Sequence, residues 1–401
     1  MTSDELTRRL AELAIAFGAN VQPGQIVFVH AEPDHAPLVR ALAAEAYRRG
    51  ARFVDAFYFD PHVKRARIAH AQEDTLDFVP SWYGDRMLAL GEQRCARVWV
   101  TGASEPGLLA DLDPARAGRD MLPRVKETSK VVNDRTTNWT IVPYPSDGWA
   151  GRVHPDLPPD EALQRLTDEL AHVLRLDGPD PVAAWDARFR DMTAAAARLT
   201  ELRLDALRFD GPGTELTLGL FPSSRWAAAT FTTVDGLEHK PNLPSEEVFT
   251  SPDPRRAEGH VTATKPLVFA DGSAVKGLRV RFEGGRAVEI DADEGAANLR
   301  ARVEQDPGGT QLGEVALVDR EGRIGALDTV FHDTLLDENA ASHIALGGGF
   351  GFAVDDEEDR QRVSQSGVHV DFMIGGDDVD VTGITRDGDE VAVLQGGAWQ
   401  I

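Results

Sequence analysis

The sequence predicts two domains: an α/β N-terminal domain built on a mainly parallel sheet, residues 1–180, and a β-rich α+β C-terminal domain, residues 181–401. Three observations carry this. A chain of 401 residues is longer than one ordinary compact core encloses. Its first hundred residues alternate apolar strands with amphipathic helices, the order that produces parallel pairing. Beyond Glu201 the pattern changes to short segments of alternating polarity.

The elements follow in order. Residues 3–18, SDELTRRLAELAIAFG, place Leu6, Leu10, Leu13 and Phe17 at helical spacing, with Thr2 and Glu5 as a capping box and Gly18 as a stop. QIVFVH (25–30) reads as a buried strand, DHAPLVRALAAEAYRRG (34–50) as a helix closed by Gly50, and RFVDAFYFD (52–60) as a second strand, together a βαβ unit. RVWVTG (97–102) adds another strand after a helical stretch. Closely spaced prolines and acids in LDGPDPVAAW (176–185) mark a linker before an alanine-rich helix at 183–200. ELTLGLF (215–221), AVKGLRVRF (274–282), EVALVD (314–319) and GVHVDFMIG (367–375) then supply the strands of the second domain. DDEED (355–359) reads as a solvated loop or helix face.

Composition narrows the chemistry. A net charge of −24 disfavours nucleic acid, because backbone binding depends on cationic side chains displacing counterions from the polymer. No apolar run reaches the roughly 18 residues needed to span a bilayer, and the acidic start TSDELTRRL lacks an apolar leader core, so a cytoplasmic protein without membrane contact is expected. Cys95 is the only cysteine, which rules out an internal disulfide framework and thiolate clusters; its expected role is buried filler. The turn after Val29 lacks phosphate-binding glycines, and GGGFG at 347–351 follows a helix-like segment, so a nucleotide site is excluded. Any metal chemistry must use His and carboxylates.

Those residue types gather in the second half. In GVHVDFMIG, strand alternation sets His369, Asp371 and Met373 on one face, with the imidazole and carboxylate roughly 7 Å apart, near enough to reach one metal cluster. Glu314 shares a strand face with Ala316 and Val318, and a carboxylate among apolar neighbours needs a partner. Glu338 and His343 lie five residues apart, about 500° of helical rotation, so they do not share a helical face. Glu338 is therefore expected in a turn, with Asp337 or Asn339 capping a short helix, ASHIALG, whose first turn carries His343 toward the same site. In HKPNLPSEEVFTSP (239–252), the adjacent Glu246 and Glu247 of the short strand EEVF must face opposite ways. The set Glu246 or Glu247, Glu314, Glu338, His343, His369 and Asp371 exceeds what one metal needs and suits two divalent ions sharing a bridging carboxylate.

The ordered motifs NLPSEEVFTSP, GEVALVD, LDENAASHIALG and HVDFMIGG, with QPGQIVFVH and RRGARFVD near the start, resemble the aminopeptidase T and aminopeptidase S family of dinuclear metallo-aminopeptidases. The resemblance covers essentially the whole chain. It implies removal of the N-terminal residue from short peptides by a metal-bridging hydroxide, two divalent ions per subunit (zinc, cobalt or manganese), and a homodimer. Carried over by motif, the ligands are Glu247, Glu314, His343, His369 and Asp371, with Glu338 a further ligand or the acid/base group; Glu247 is the glutamate before Val-Phe, leaving Glu246 outside the coordination or exposed. One position departs from the pattern. The family's tyrosine seven residues after the motif histidine is Phe350 here, and all four tyrosines lie in the first domain. A substitute donor would have to come from that domain, a partner subunit, or a residue such as His332 or Arg386. The competing expectation is a catalytically impaired metal-binding relative with a binding or assembly role.

Overall fold

A computed structural model describes residues 1–120, 122–123, 125–269 and 274–401. The chain divides into two compact units, Met1–Trp185 with Thr230–Pro244, and Asp186–Ala229 with Ser245–Ile401. Against a division at residue 180, the difference is the segment Thr230–Pro244, which belongs to the first unit. There Lys240 N donates to Gly18 O (2.7 Å) and Ile141 N donates to Pro241 O (2.7 Å). Attachment through backbone groups leaves no side-chain periodicity to read.

The first unit carries four parallel strands, β1 (Ile26–Ala31), β2 (Phe53–Tyr58), β3 (Ala96–Thr101) and β4 (Asn138–Pro143), in the order β2-β1-β3-β4. The opening helix, Ser3–Leu13, starts where the Thr2 hydroxyl accepts from Glu5 N, and it buries Leu6, Leu10 and Leu13. The helix Ala36–Arg48 crosses between β1 and β2, as their parallel pairing requires. Cys95 is fully buried beside Phe28 and Leu90, and burial pushes its thiol up to about 11, so it is inert packing.

The helix Pro181–Leu202, in the second unit from Asp186 onward, leads into two large antiparallel sheets, beside a two-stranded one, among the described residues. The larger has eight strands, with Thr214–Leu220 and Ala206–Gly211 near its middle. The smaller has five, in the order His369–Met373, His343–Gly347, Leu312–Val318, Glu247–Thr250 and Ala227–Ala228. Val315, Leu317, Ile344 and Phe372 are buried within this smaller sheet. Among the described residues, no helix is long and apolar enough to cross a membrane.

The sheet also corrects one expectation. HIALG is not a helix: His343–Gly347 is a strand paired antiparallel to Leu312–Val318 and to His369–Met373. All five of its residues are buried, so the run shows no polar alternation and mimics a buried helix segment. GGGFG accordingly follows a strand. Glu338 closes the short helix Thr334–Glu338, where a turn was expected.

Candidate metal centre

Strand registry assembles the site. On one face of the five-stranded sheet, alternation presents Glu247 and Phe249, then Glu314, Ala316 and Val318, then His343, Ala345 and Gly347, then His369, Asp371 and Met373. Ala345 stands opposite both Glu314 and Asp371, and Gly347 opposite His369. The positions between the ionisable groups are therefore small, which leaves room above the sheet where the longer side chains converge.

They form two triads. Ligand atoms of Glu247, Glu314 and His343 lie within 4.8 Å of one another, as do those of Glu314, His369 and Asp371. Glu314 belongs to both. His343 Nε2 is 3.1 Å from Glu247 Oε2; His369 Nε2 is 3.1 Å from Glu314 Oε2 and 3.3 Å from Asp371 Oδ1. The first triad is buried throughout, whereas the second is more open, the His369 side chain being 34% exposed.

Each imidazole is oriented by the backbone. A carbonyl can only accept, so His343 Nδ1–H donates to Ala341 O (3.1 Å) and His369 Nδ1–H donates to Gly348 O (2.8 Å). That turns each Nε2 toward the carboxylates, the arrangement of metal-ligating histidines. The glycine run makes the second contact possible. Gly347 has φ +115°, and a Cβ there would lie 2.1 Å from Val368 O; at Gly348 it would lie 2.5 Å from Ser366 O.

The electrostatics match a cation site. Burial lowers the proton affinity of His343, but its hydrogen bond to Glu247 and the surrounding carboxylates outweigh this and raise it to about 10. His369 is likewise raised well above the usual imidazole range, its burial outweighed by Asp371 and Glu314. Asp371 is lowered, since the charge of His369 overcomes burial. Burial, then Asp371 and Glu247, push Glu338 well up, and burial pushes Glu314 up. Oxygen and imidazole donors held this close fit a divalent ion in place of protons on the rings.

Glu338 enters neither triad among the described residues, yet it feels Asp371, Glu247, His343 and Glu314. Glu246 and Glu247 do face opposite ways, but Glu246 is buried, not exposed. Its Oε2 accepts from Arg188 Nε at 2.5 Å, and Arg188 Nη1 and Nη2 each donate to Asp319 at 3.0 Å. Asn339 Oδ1 accepts from Glu246 N (2.7 Å), tying the loop after Glu338 to the strand that carries Glu247. Arg188 and Asp319 were not anticipated from sequence, and Asn339 was expected only as a helix cap; the one available signal was the spare carboxylate beside Glu247. The Phe350 ring packs 5.4 Å from the rings of His369 and Phe249, on the open side. Of the alternative donors, Arg386 is committed to Asp205 (2.7 Å), and His332 lies in the loop before Thr334–Glu338 with φ 57°.

Comparison with known proteins gives one consistent answer. Residues 3–399 match the family model described as thermophilic metalloprotease (M29). The chain is 42% identical to aminopeptidase T of Thermus aquaticus, covering 99% of each, and 34% identical to aminopeptidase 2 of Geobacillus stearothermophilus over 98% of this chain and 97% of that one. The solved structure of wild-type AmpT from Thermus thermophilus superposes with a TM-score of 0.92 at 39% identity, covering 99% of both chains.

Proposed function

The chain belongs to the M29 family of metalloproteases and is a metal-dependent aminopeptidase, and from that premise we propose that it removes the N-terminal residue from short peptides at a two-metal centre in the second unit. The observation that supports the proposal is the sharing of Glu314 between two triads, so that Glu247, Glu314 and His343 would hold one divalent ion and Glu314, His369 and Asp371 a second. Charge supports the same count. Glu247, Glu314, Glu338 and Asp371 carry four formal negative charges when ionised, which one divalent ion halves and two neutralise.

When bound, the ions polarise the scissile carbonyl and lower the pKa of a water toward about 7. The side chains do the rest. His343 and Glu247 would hold an ion on the buried side, and His369 and Asp371 one on the more exposed side, where a peptide can approach. Glu338 acts as the acid/base group: it takes a proton from the attacking water and returns it to the amine nitrogen as the C–N bond breaks and the C–O bond forms. A carboxylate oxygen left uncoordinated receives the free α-ammonium group, which restricts cleavage to chain ends. Phe350 lies where a phenol would reach the developing oxyanion, so turnover proceeds without that donor. A homodimer completes the proposal.

Metal-depleted protein titrated separately with zinc, cobalt and manganese tests it. Leucine should be released from a short unblocked peptide, with activity saturating near two equivalents, and the N-acetylated peptide should be refused. Saturation at one equivalent would remove the second metal; equal cleavage of the acetylated peptide would remove the aminopeptidase assignment. Metal occupancy without hydrolysis of either peptide would favour the reading that Phe350 marks a binding protein.

A further inference from the structure

In the first unit, far in sequence from the metal ligands, one face of the parallel sheet carries groups that no packing requirement explains. Phe28 and His30 on β1 stand opposite Arg97 and Trp99 on β3, and His30 also stands opposite Phe57 on β2. These strands flank the point where the order β2-β1-β3-β4 reverses direction. An open pocket lies over them, roofed by Tyr83 and Arg86.

Among the described residues, two polar side chains that line this pocket have buried nitrogens without partners. Arg97 is 8% exposed, and its Nε and Nη1 are buried with nothing to donate to; His30 is 7% exposed, with neither ring nitrogen bonded. A buried guanidinium without an acceptor is costly, and proteins retain such a group where something else supplies the acceptor. Its neighbours do not supply one. Asp55, the nearby acid on β2, is engaged by Arg86, whose guanidinium also lies 5.0 Å over Phe28 and 5.1 Å over Phe57. Rings form much of the remaining lining, beside Met87, Pro123, Val125 and Thr128: Trp99 is 3.9 Å from His30, Phe57 is 5.4 Å from His30, and Tyr83 meets Phe57 edge-on at 6.2 Å.

We propose that this pocket is a binding site for a small aromatic carboxylate, whose carboxylate pairs with Arg97 and accepts a hydrogen bond from His30 while its ring packs among Phe57, Tyr83 and Trp99. A monoanion fits better than a phosphate dianion, because one guanidinium and one imidazole are the uncommitted donors. Burial brings Arg97 down to about 10, still charged at neutral pH; burial and the charge of Arg97 bring His30 down to about 4, so the imidazole is neutral there. With Asp55 taken, no uncommitted carboxylate among the described lining residues is left to pair with an α-ammonium group. Free aromatic amino acids, the products of an aminopeptidase, should therefore bind more weakly than the simple carboxylate.

The test is calorimetric titration of the full-length, metal-loaded protein with benzoate, benzyl alcohol and phenylalanine, using wild type, Arg97→Met and Arg97→Lys. Benzoate should bind wild type saturably, the other two at least about tenfold more weakly. Arg97→Met should lose about tenfold or more in benzoate affinity, since a charge-assisted bidentate contact is removed. It should keep its peptide hydrolysis within twofold and its thermal stability undiminished, because an unpaired buried cation has gone. Arg97→Lys, which retains charge but not the fork, should be intermediate, and it carries the test if the methionine variant fails to fold. Absence of saturable benzoate binding, equal affinity for benzyl alcohol or phenylalanine, or unchanged affinity in both variants would overturn the proposal. So would benzoate that inhibits hydrolysis equally in wild type and Arg97→Met, which would place it at the metal centre.

Discussion

Replacing Arg188 with methionine removes the guanidinium that bonds Glu246 Oε2, a carboxylate buried beside the strand that carries Glu247. The guanidinium is 8% exposed and Glu246 is fully buried at its side chain, so water cannot take over the interaction. Burial opposes charge on Arg188, yet Glu246 and Asp319 together hold its proton affinity above the ordinary guanidinium range. Breaking a buried pair from one side costs about 3–5 kcal/mol. For a unit of this size that corresponds to a fall of about 6–20 °C in melting temperature. Asp319 is the less exposed to loss, since it also accepts from Trp399 Nε1 and from Glu321 N (2.9 Å). The double variant Arg188→Met, Glu246→Leu should therefore recover most of the lost stability. Denaturant titration of the three proteins in their metal-free form separates this effect from metal linkage. A loss under about 1 kcal/mol in the single variant, or no recovery in the double, would refute the reasoning that Glu246 is a buried anion needing Arg188.

Three further outcomes are expected. Phe350→Tyr should raise kcat by about tenfold to a hundredfold if the phenol reaches the oxyanion, with little change in stability because the position is only half-buried; steady-state hydrolysis of a leucyl peptide measures it. Glu338→Gln should lower kcat by about 10²–10⁴-fold while elemental analysis still finds two metals per chain, and loss of a metal would instead make Glu338 a ligand. His239, packed near Trp139 and Phe231, has its proton affinity brought down to about 4 from an unfolded value of 6.5, by burial first and then by Lys240. Since its folded value is the depressed one, the unfolded chain takes up the proton first, and stability falls as pH drops from 6.5 to 4, by roughly 3 kcal/mol. His239→Leu should flatten that limb of the stability profile, and an unchanged slope would assign the loss elsewhere.

What the sequence reveals of this centre depends on how each residue is placed. Glu314, His369 and Asp371 are legible because strands impose period two, and a carboxylate or imidazole on an otherwise buried strand stands out. Glu247 is legible through its neighbour, because adjacent strand residues diverge. His343 is harder. Its strand is covered on both faces, so its apolar run shows no alternation, and Ala and Leu make it look helical. Registry then decides the centre: the placing of Ala345 opposite both Glu314 and Asp371 is a three-strand property that no single segment contains. Arg188 is invisible for the opposite reason. An arginine in an alanine-rich helix has the pattern of a solvent-facing residue, and only the finding that Glu246 is buried reveals that it needs a cation. The carboxylate next to a candidate ligand thus predicts the kind of partner required, and the fold alone supplies which residue it is.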